Sequence, residues 1–245
     1  MASELTNRFE LLESGQGDFP DKEFDEVASE LITSVDYEGY EFITNYEIDN
    51  IRCTMHRKYR EDSGLYQYKL WGHMMDVSVE ACSHSYVDLE FRNYWDDYCV
   101  EAVRKEDPDT KKTAYYWQLN YPFPLSNRDY CFVRESRKLC KDERTIYVTL
   151  ARSEPFQIFP ERSGVIRVKD YFQKAAMMSD GKIGTIAYMT YYDNPQGMIP
   201  TWLINWAASI GGPQYLKVMH KSCSQYFEWR EAVDKNKMIQ TDKEI

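Results

Sequence analysis

Few residues in this chain are spaced for chemistry on a substrate. The histidines His56, His73, His84 and His220 lie far apart, with no His-Glu-x-x-His or similar pattern that would bring two imidazoles onto one metal. They read as surface or packing residues, and no metal site is expected. Acidic pairs such as Asp96-Asp97 and Asp107/Asp109 sit beside basic residues and read as solvated turns rather than as a general acid and base. There is no glycine-rich phosphate loop and no Gly-x-Ser-x-Gly elbow. Cys53, Cys82, Cys99, Cys131, Cys140 and Cys223 are scattered without a Cys-x-x-Cys, as expected of reduced thiols used for packing. The residues give no argument for an enzyme and none for a cofactor.

Aromatic surface, by contrast, is plentiful: 20 tyrosines and 6 tryptophans. In the stretch 115–121, strand alternation places Tyr115, Trp117, Leu119 and Tyr121 on one face, and Tyr116, Gln118 and Asn120 on the other. Large aromatics on one face of a curled sheet either fill its interior or line a pocket. Arg92 has an acid four residues away on each side, Asp88 and Asp96. On helical spacing alone it reads as a surface ion pair with one of them.

These residues need elements to position them. A chain of 245 residues is long enough for one large domain with a sizeable core or an enclosed cavity. The net charge of −10 argues against nucleic-acid binding, which needs a basic footprint. No apolar run reaches the ~18 residues of a membrane span, and the polar opening MASELTNRFE does not read as a signal peptide. A soluble, cytoplasmic protein is expected.

Residues 1–20 read as a polar lead-in and 230–245 as a charged, mobile tail, with a single domain over 21–229. Phe24, Val27, Leu31 and Ile32 mark an amphipathic helix over 21–34. Strands are predicted at 40–46, 51–59, 65–72, 99–104, 114–121, 130–137, 145–151, 165–174 and 183–192, with two short helices between 77 and 98. Nine strands in runs with segregated helices imply an α+β fold built on an antiparallel sheet. The clearest helix signal covers 199–229, where Leu203, Trp206, Ala207, Ile210, Leu216, Met219, Cys223, Tyr226 and Phe227 recur at helical spacing. Gly211, Gly212 and Pro213 interrupt it and predict a kink or a break. It serves either as a cap on the core or as a lid over a cavity.

Several stretches carry a resemblance. They are Gly64–Tyr68 (GLYQY), Trp117 with the run 121–130 (YPFPLSNRDY), 151–153 (ARS), 161–168 (ERSGVIRV), 192–195 (YDNP) and 199–207 (IPTWLINWA). In this order and spacing they resemble a START lipid-transfer domain, specifically the phosphatidylcholine-carrying branch of that family, from about Gly64 to Trp229. The resemblance implies a helix-grip fold: a curved antiparallel sheet around the long C-terminal helix, enclosing a tunnel for one lipid. It implies a headgroup cage of Trp117, Tyr130 and Tyr171, phosphate binding by Arg92 and Gln173, and further pocket wall from Tyr86, Leu119 and Tyr191. A lid would comprise Trp202, Trp206, Gly211, Gly212 and Pro213. The implied partners are a phospholipid, with phosphatidylcholine foremost, and a transiently touched membrane surface. Another lipid (phosphatidylethanolamine, a sterol or ceramide) or a lipid-sensing role remains open from the residues.

The chemistry fits the cage. A choline group donates no strong hydrogen bond, so aromatic π-faces are its natural partners, worth roughly 0.5–2 kcal/mol each. A buried phosphate calls for a permanent cation with a planar fork of donors. One conflict is visible in the pattern. Strict alternation through 165–174 puts Tyr171 and Gln173 on the face of Arg167 and Lys169, away from the apolar Ile166, Val168 and Phe172. A pocket role for Tyr171 requires a bulge or bend between Arg167 and Tyr171, or a sheet buried on both faces.

Overall fold

The computed structural model describes residues 18–197, 199–200, 203 and 210–241, with the side chains of the last helix up to residue 237. Ten strands form one curved sheet: β1 (Glu41–Ile48), β2 (Ile51–Arg60), β3 (Leu65–Met74), β4 (Cys99–Glu106), β5 (Thr113–Leu119), β6 (Asn127–Lys141), β7 (Arg144–Ser153), β8 (Val165–Val168), β9 (Tyr171–Ser179) and β10 (Thr185–Asp193). Among the described residues four helices accompany them: α1 (Asp21–Thr33), α2 (Val79–Val87), α3 (Leu89–Trp95) and α4 (Gly212–Thr241). The sheet order is β1-β2-β3-β10-β9-β7-β6-β5-β4, antiparallel throughout, with β8 joining β6 in parallel off that path.

Both faces of the sheet are covered. On one side α1 buries Phe24, Val27, Ala28 and Leu31, the i, i+3, i+4, i+7 stripe expected of an amphipathic helix. They pack with Tyr116, Val133, Val148, Leu150, Ala176 and Tyr188 of the sheet. On the other side Tyr115, Tyr130, Phe132, Val168 and Tyr171 form a second cluster, with Trp117, Leu119 and Tyr191 partly buried against it. The alternation read along 115–121 therefore sorts Tyr116 from Tyr115 and Trp117 as expected.

The predicted strand 165–174 is two strands, and this is where the count rises from nine to ten. Val168 and Tyr171 are three residues apart yet join the same cluster, which strict alternation forbids. The chain bends at Lys169–Asp170, between β8 and β9. Ser153 closes the bend, donating its hydroxyl to the Lys169 carbonyl (2.9 Å) and accepting the Tyr171 amide (3.2 Å). Before the bend, Arg167 reaches Asp129 through two hydrogen bonds of 2.8 and 3.0 Å. Those two residues are register partners in the β6–β8 pair, so the ion pair fixes β8 beside Tyr130.

Helices α2 and α3 meet at Asp88. Its backbone N–H bonds the His84 carbonyl, and its carboxylate caps the next helix at the Glu90 (3.0 Å) and Phe91 (3.2 Å) amides. Helix α4 packs on α2 and α3 and reaches β1 and β2. Pro213 is the second residue of α4, directly after a wider helical turn at Ile210 and Gly211. Trp202 and Trp206, expected in the lid, lie outside the described residues.

The helix also continues well past Trp229, to Thr241, where a tail was expected. Arg230 bonds Glu90 and Asp234, both at 2.8 Å, and Lys237 bonds Glu90 at 2.9 Å. Charges that read as a solvated tail are latched to α3.

Candidate functional site: an aromatic box beside a buried arginine

Two pairs of adjacent strands, on either side of β7, supply the box. β5, β6, β9 and β10 contribute Trp117, Tyr130, Tyr171 and Tyr191 to one face. Trp117 and Tyr130 are register partners on β5 and β6, with ring centroids 5.6 Å apart and planes tilted by 34°. Tyr130 meets Tyr171 at 5.2 Å and 71°, so these rings are adjoining walls rather than a stack. Tyr191 continues the wall at 6.0 Å and 65° from Tyr171. Leu119 packs against the same cluster. The three residues expected to form a cage are therefore brought together.

Arg92 comes to the box from α3. Its guanidinium carbon is 5.2 Å from the Trp117 ring centroid and equally far from that of Trp95. Nη1 donates to Asp96 Oδ2 and to the Tyr215 hydroxyl, each at 3.0 Å. No hydrogen bond among the described residues engages Nε or Nη2. Burial disfavours the charge, but the Tyr215 hydroxyl and the Asp96 carboxylate beside it more than offset that, and the pKa is raised. Arg92 is thus a permanent cation with donors to spare.

Asp96 is a correction to the sequence reading, and so is Asp107. Read as members of solvated turns, both are buried. Asp96 accepts from Arg92 and from the Tyr98 amide; Asp107 accepts the amide and hydroxyl of Thr110. The Arg92–Asp96 pair does form at i, i+4, but in the interior, where each side chain holds the other.

The remaining expected residues divide. Tyr86 lies close enough to Arg92 and Arg134 to feel both charges, and burial pushes its hydroxyl up to about 12. That hydroxyl has no hydrogen-bond partner among the described residues. Gln173 accepts from Tyr171 (3.0 Å) and points its amide at Met189 Sδ; the structure sets it beside the box and shows no bond from it to Arg92. Burial also raises the hydroxyls of Tyr130, Tyr171 and Tyr191 well beyond their ordinary range, so these rings are neutral at physiological pH.

Two residues at the site escaped the sequence reading. Asp193 accepts the Tyr130 hydroxyl at 2.6 Å. Arg134 is buried, donates to the Val87 carbonyl at 2.6 Å and lies 4.5 Å from the Tyr115 ring centroid. Alternation carried the signal for both. Tyr191 and Asp193 share a face of β10; Tyr130, Phe132 and Arg134 share a face of β6.

The family model for the START domain matches residues 45–230. The chain belongs to the START domain family. Among relatives of this START chain, the phosphatidylcholine transfer protein of Mus musculus is 43% identical over 212 residues, covering 85% of this chain and 95% of the mouse protein. The Homo sapiens protein of the same name is 41% identical over 217 residues, covering 89% and 99%. The crystal structure of human STARD10 superposes with a TM-score of 0.71 at 21% identity, covering 89% of this chain and 85% of that one; that likeness supports the START fold alone. No helix among the described residues is long and apolar enough to cross a membrane.

Proposed function

We propose that this START protein is a carrier that holds one phospholipid, phosphatidylcholine, and exchanges it between membranes in the cytoplasm without chemical change. The observation that carries the proposal is the sharing of Trp117: it forms one wall of the aromatic box and also faces the Arg92 guanidinium. A phosphocholine joins a phosphate to a quaternary ammonium through only two carbons, so its two charges need an anion site and a cation site side by side. Arg92 would take the phosphate with its open donors, and Trp117, Tyr130 and Tyr171 the ammonium. Tyr86, Gln173, Leu119 and Tyr191 would line the remainder. The relatives named phosphatidylcholine transfer protein support the same ligand.

Energetics define the task. About 30 buried CH₂ groups are worth roughly 24 kcal/mol against water, but a bilayer is equally apolar, so the gross term cancels between bilayer and protein. Selection then falls to the headgroup, and the protein's contribution to transfer is kinetic. The turn into α4 at Gly211, Gly212 and Pro213, with the preceding Trp202 and Trp206, would form the lid that opens. Lys217 and Lys221, exposed on α4, would meet the membrane surface.

Mass spectrometry of the lipid that co-purifies with the protein tests this reading. Phosphatidylcholine is expected at up to one per chain. Recovery of only sterol, ceramide or phosphatidylethanolamine overturns the headgroup assignment.

A further inference from the structure

Asp193 closes β10 beside the box and has no cationic partner in an ion pair among the described residues. Its carboxylate accepts the Tyr130 hydroxyl at 2.6 Å, and the nearby Tyr191 hydroxyl, two residues back on the same strand face, also favours the charged form. Tyr121 stands close enough for the Asp193 charge to raise its hydroxyl as well. Arg128 is the cation that reaches it through space, but the Arg128 donors are committed to the carbonyls of Ser126, Pro195 and Gln196 at 2.6–3.2 Å. Burial drives the Asp193 carboxyl upward against those hydroxyls and that arginine.

A carboxylate kept in the interior with neutral donors alone is costly, because hydroxyls recover only part of its lost hydration. Such a group is stabilised by a cation that arrives with a ligand. The hydroxyl that holds Asp193 belongs to Tyr130, and the Tyr130 ring, like that of nearby Tyr191, is a wall of the box. A phenol donating to an anion carries more electron density in its ring, which strengthens attraction for a cation on the ring face.

We propose that Asp193 is a specificity-determining residue, the anionic base of the box, which selects a positively charged headgroup over an uncharged one of equal shape. This rests on the phosphatidylcholine reading above and adds to it. Arg92 would fix the phosphate common to many phospholipids, whereas Asp193 would demand the positive charge beyond it. The bare hydrogen bond to Tyr130 has a simpler use, orienting that ring. The two roles differ in one measurable respect: an orienting bond serves a charged and an uncharged headgroup alike.

The test compares phosphatidylcholine with the 3,3-dimethylbutyl ester of the same phosphatidic acid, in which carbon replaces the ammonium nitrogen. Wild-type protein is loaded from vesicles containing both, and the captured lipids are weighed by mass spectrometry. Asp193→Asn keeps an acceptor for Tyr130 and removes the charge; Asp193→Glu keeps the charge. The wild-type preference for phosphatidylcholine should fall on the order of tenfold in Asp193→Asn and persist in Asp193→Glu. Equal loss of both lipids in Asp193→Asn would make the residue an orienting group only and overturn the proposal. An unchanged preference would also overturn it. Capture of neither lipid by wild-type protein would overturn the phosphatidylcholine reading itself. Should Asp193→Asn fail to fold, the wild-type protein decides: the Asp193 carboxyl ¹³C signal should titrate at lower pH with phosphatidylcholine bound than with the uncharged ester. Identical titrations would rule the charge role out.

Discussion

The Ser153 hydroxyl bridges the backbone on both sides of a bend, donating to the Lys169 carbonyl and accepting the Tyr171 amide. It is this bridge on β7 that turns Tyr171 into the box. Ser153→Ala removes one donor and one acceptor from partly exposed backbone. The expected cost is about 1–2 kcal/mol of stability, read as a lower denaturation midpoint. Because Tyr171 would lose its setting, phosphatidylcholine loading should fall more than the midpoint alone explains. A variant with full loading would show that the β-pairing of β9 suffices to place the ring.

Arg92 and Asp96 form a buried pair, so truncating the arginine strands a carboxylate. Arg92→Ala should cost about 3–5 kcal/mol of stability, which confounds any loss of transfer. Arg92→Lys is the cleaner variant: it keeps a charge for Asp96 and discards the fork. Its melting temperature should stay within a few degrees of wild type, whereas phosphatidylcholine transfer should drop severalfold. Unchanged transfer in a fluorescent-lipid assay would leave Arg92 with a structural role alone.

The order of elements was legible because their periods are clean: the stripe of α1, the alternation at 115–121 and the turn signals between strands. Membership of Trp117, Tyr130 and Tyr171 in one site came from motif resemblance, since strict alternation argued against Tyr171. What corrected the register was Ser153, 18 residues away, a contact no local window contains. Asp96 and Asp107 were misread for a similar reason. A carboxylate beside basic residues looks solvated until the Tyr215 and Thr110 hydroxyls close over it. The continuation of α4 past Trp229 depends on Glu90, 140 positions from Arg230, so the charged stretch alone could not reveal its partner.

Asp88 joins three helices. It caps α3, accepts the Tyr226 hydroxyl of α4 at 2.9 Å, and lies 3.5 Å from Arg230 Nη1. Asp88→Ala removes the cap and leaves the buried Tyr226 hydroxyl without this acceptor, which together should cost about 2–4 kcal/mol. The loss should be local first. Hydrogen exchange should quicken across 88–95 and 215–230 before it changes in β6 and β7. Uniform acceleration over the whole chain would contradict a helix-specific latch.

Most positive charges on α4 are already spent. Arg230 and Lys237 are held by Glu90, and Lys235 by Glu231 at 2.7 Å. Lys217 and Lys221 are exposed one turn apart, and neither forms an ion pair among the described residues. They are therefore the charges available to an anionic lipid surface. Each basic residue near such a surface contributes about 1 kcal/mol, so replacing both by serine should weaken association with phosphatidylserine-containing vesicles on the order of thirtyfold. Transfer from those vesicles should slow, and transfer from purely zwitterionic vesicles should change little. Raising the salt concentration should erase the difference between variant and wild type, because screening removes the same attraction. If the double variant is equally slow with both vesicle types, the two lysines act on the helix itself rather than on the membrane.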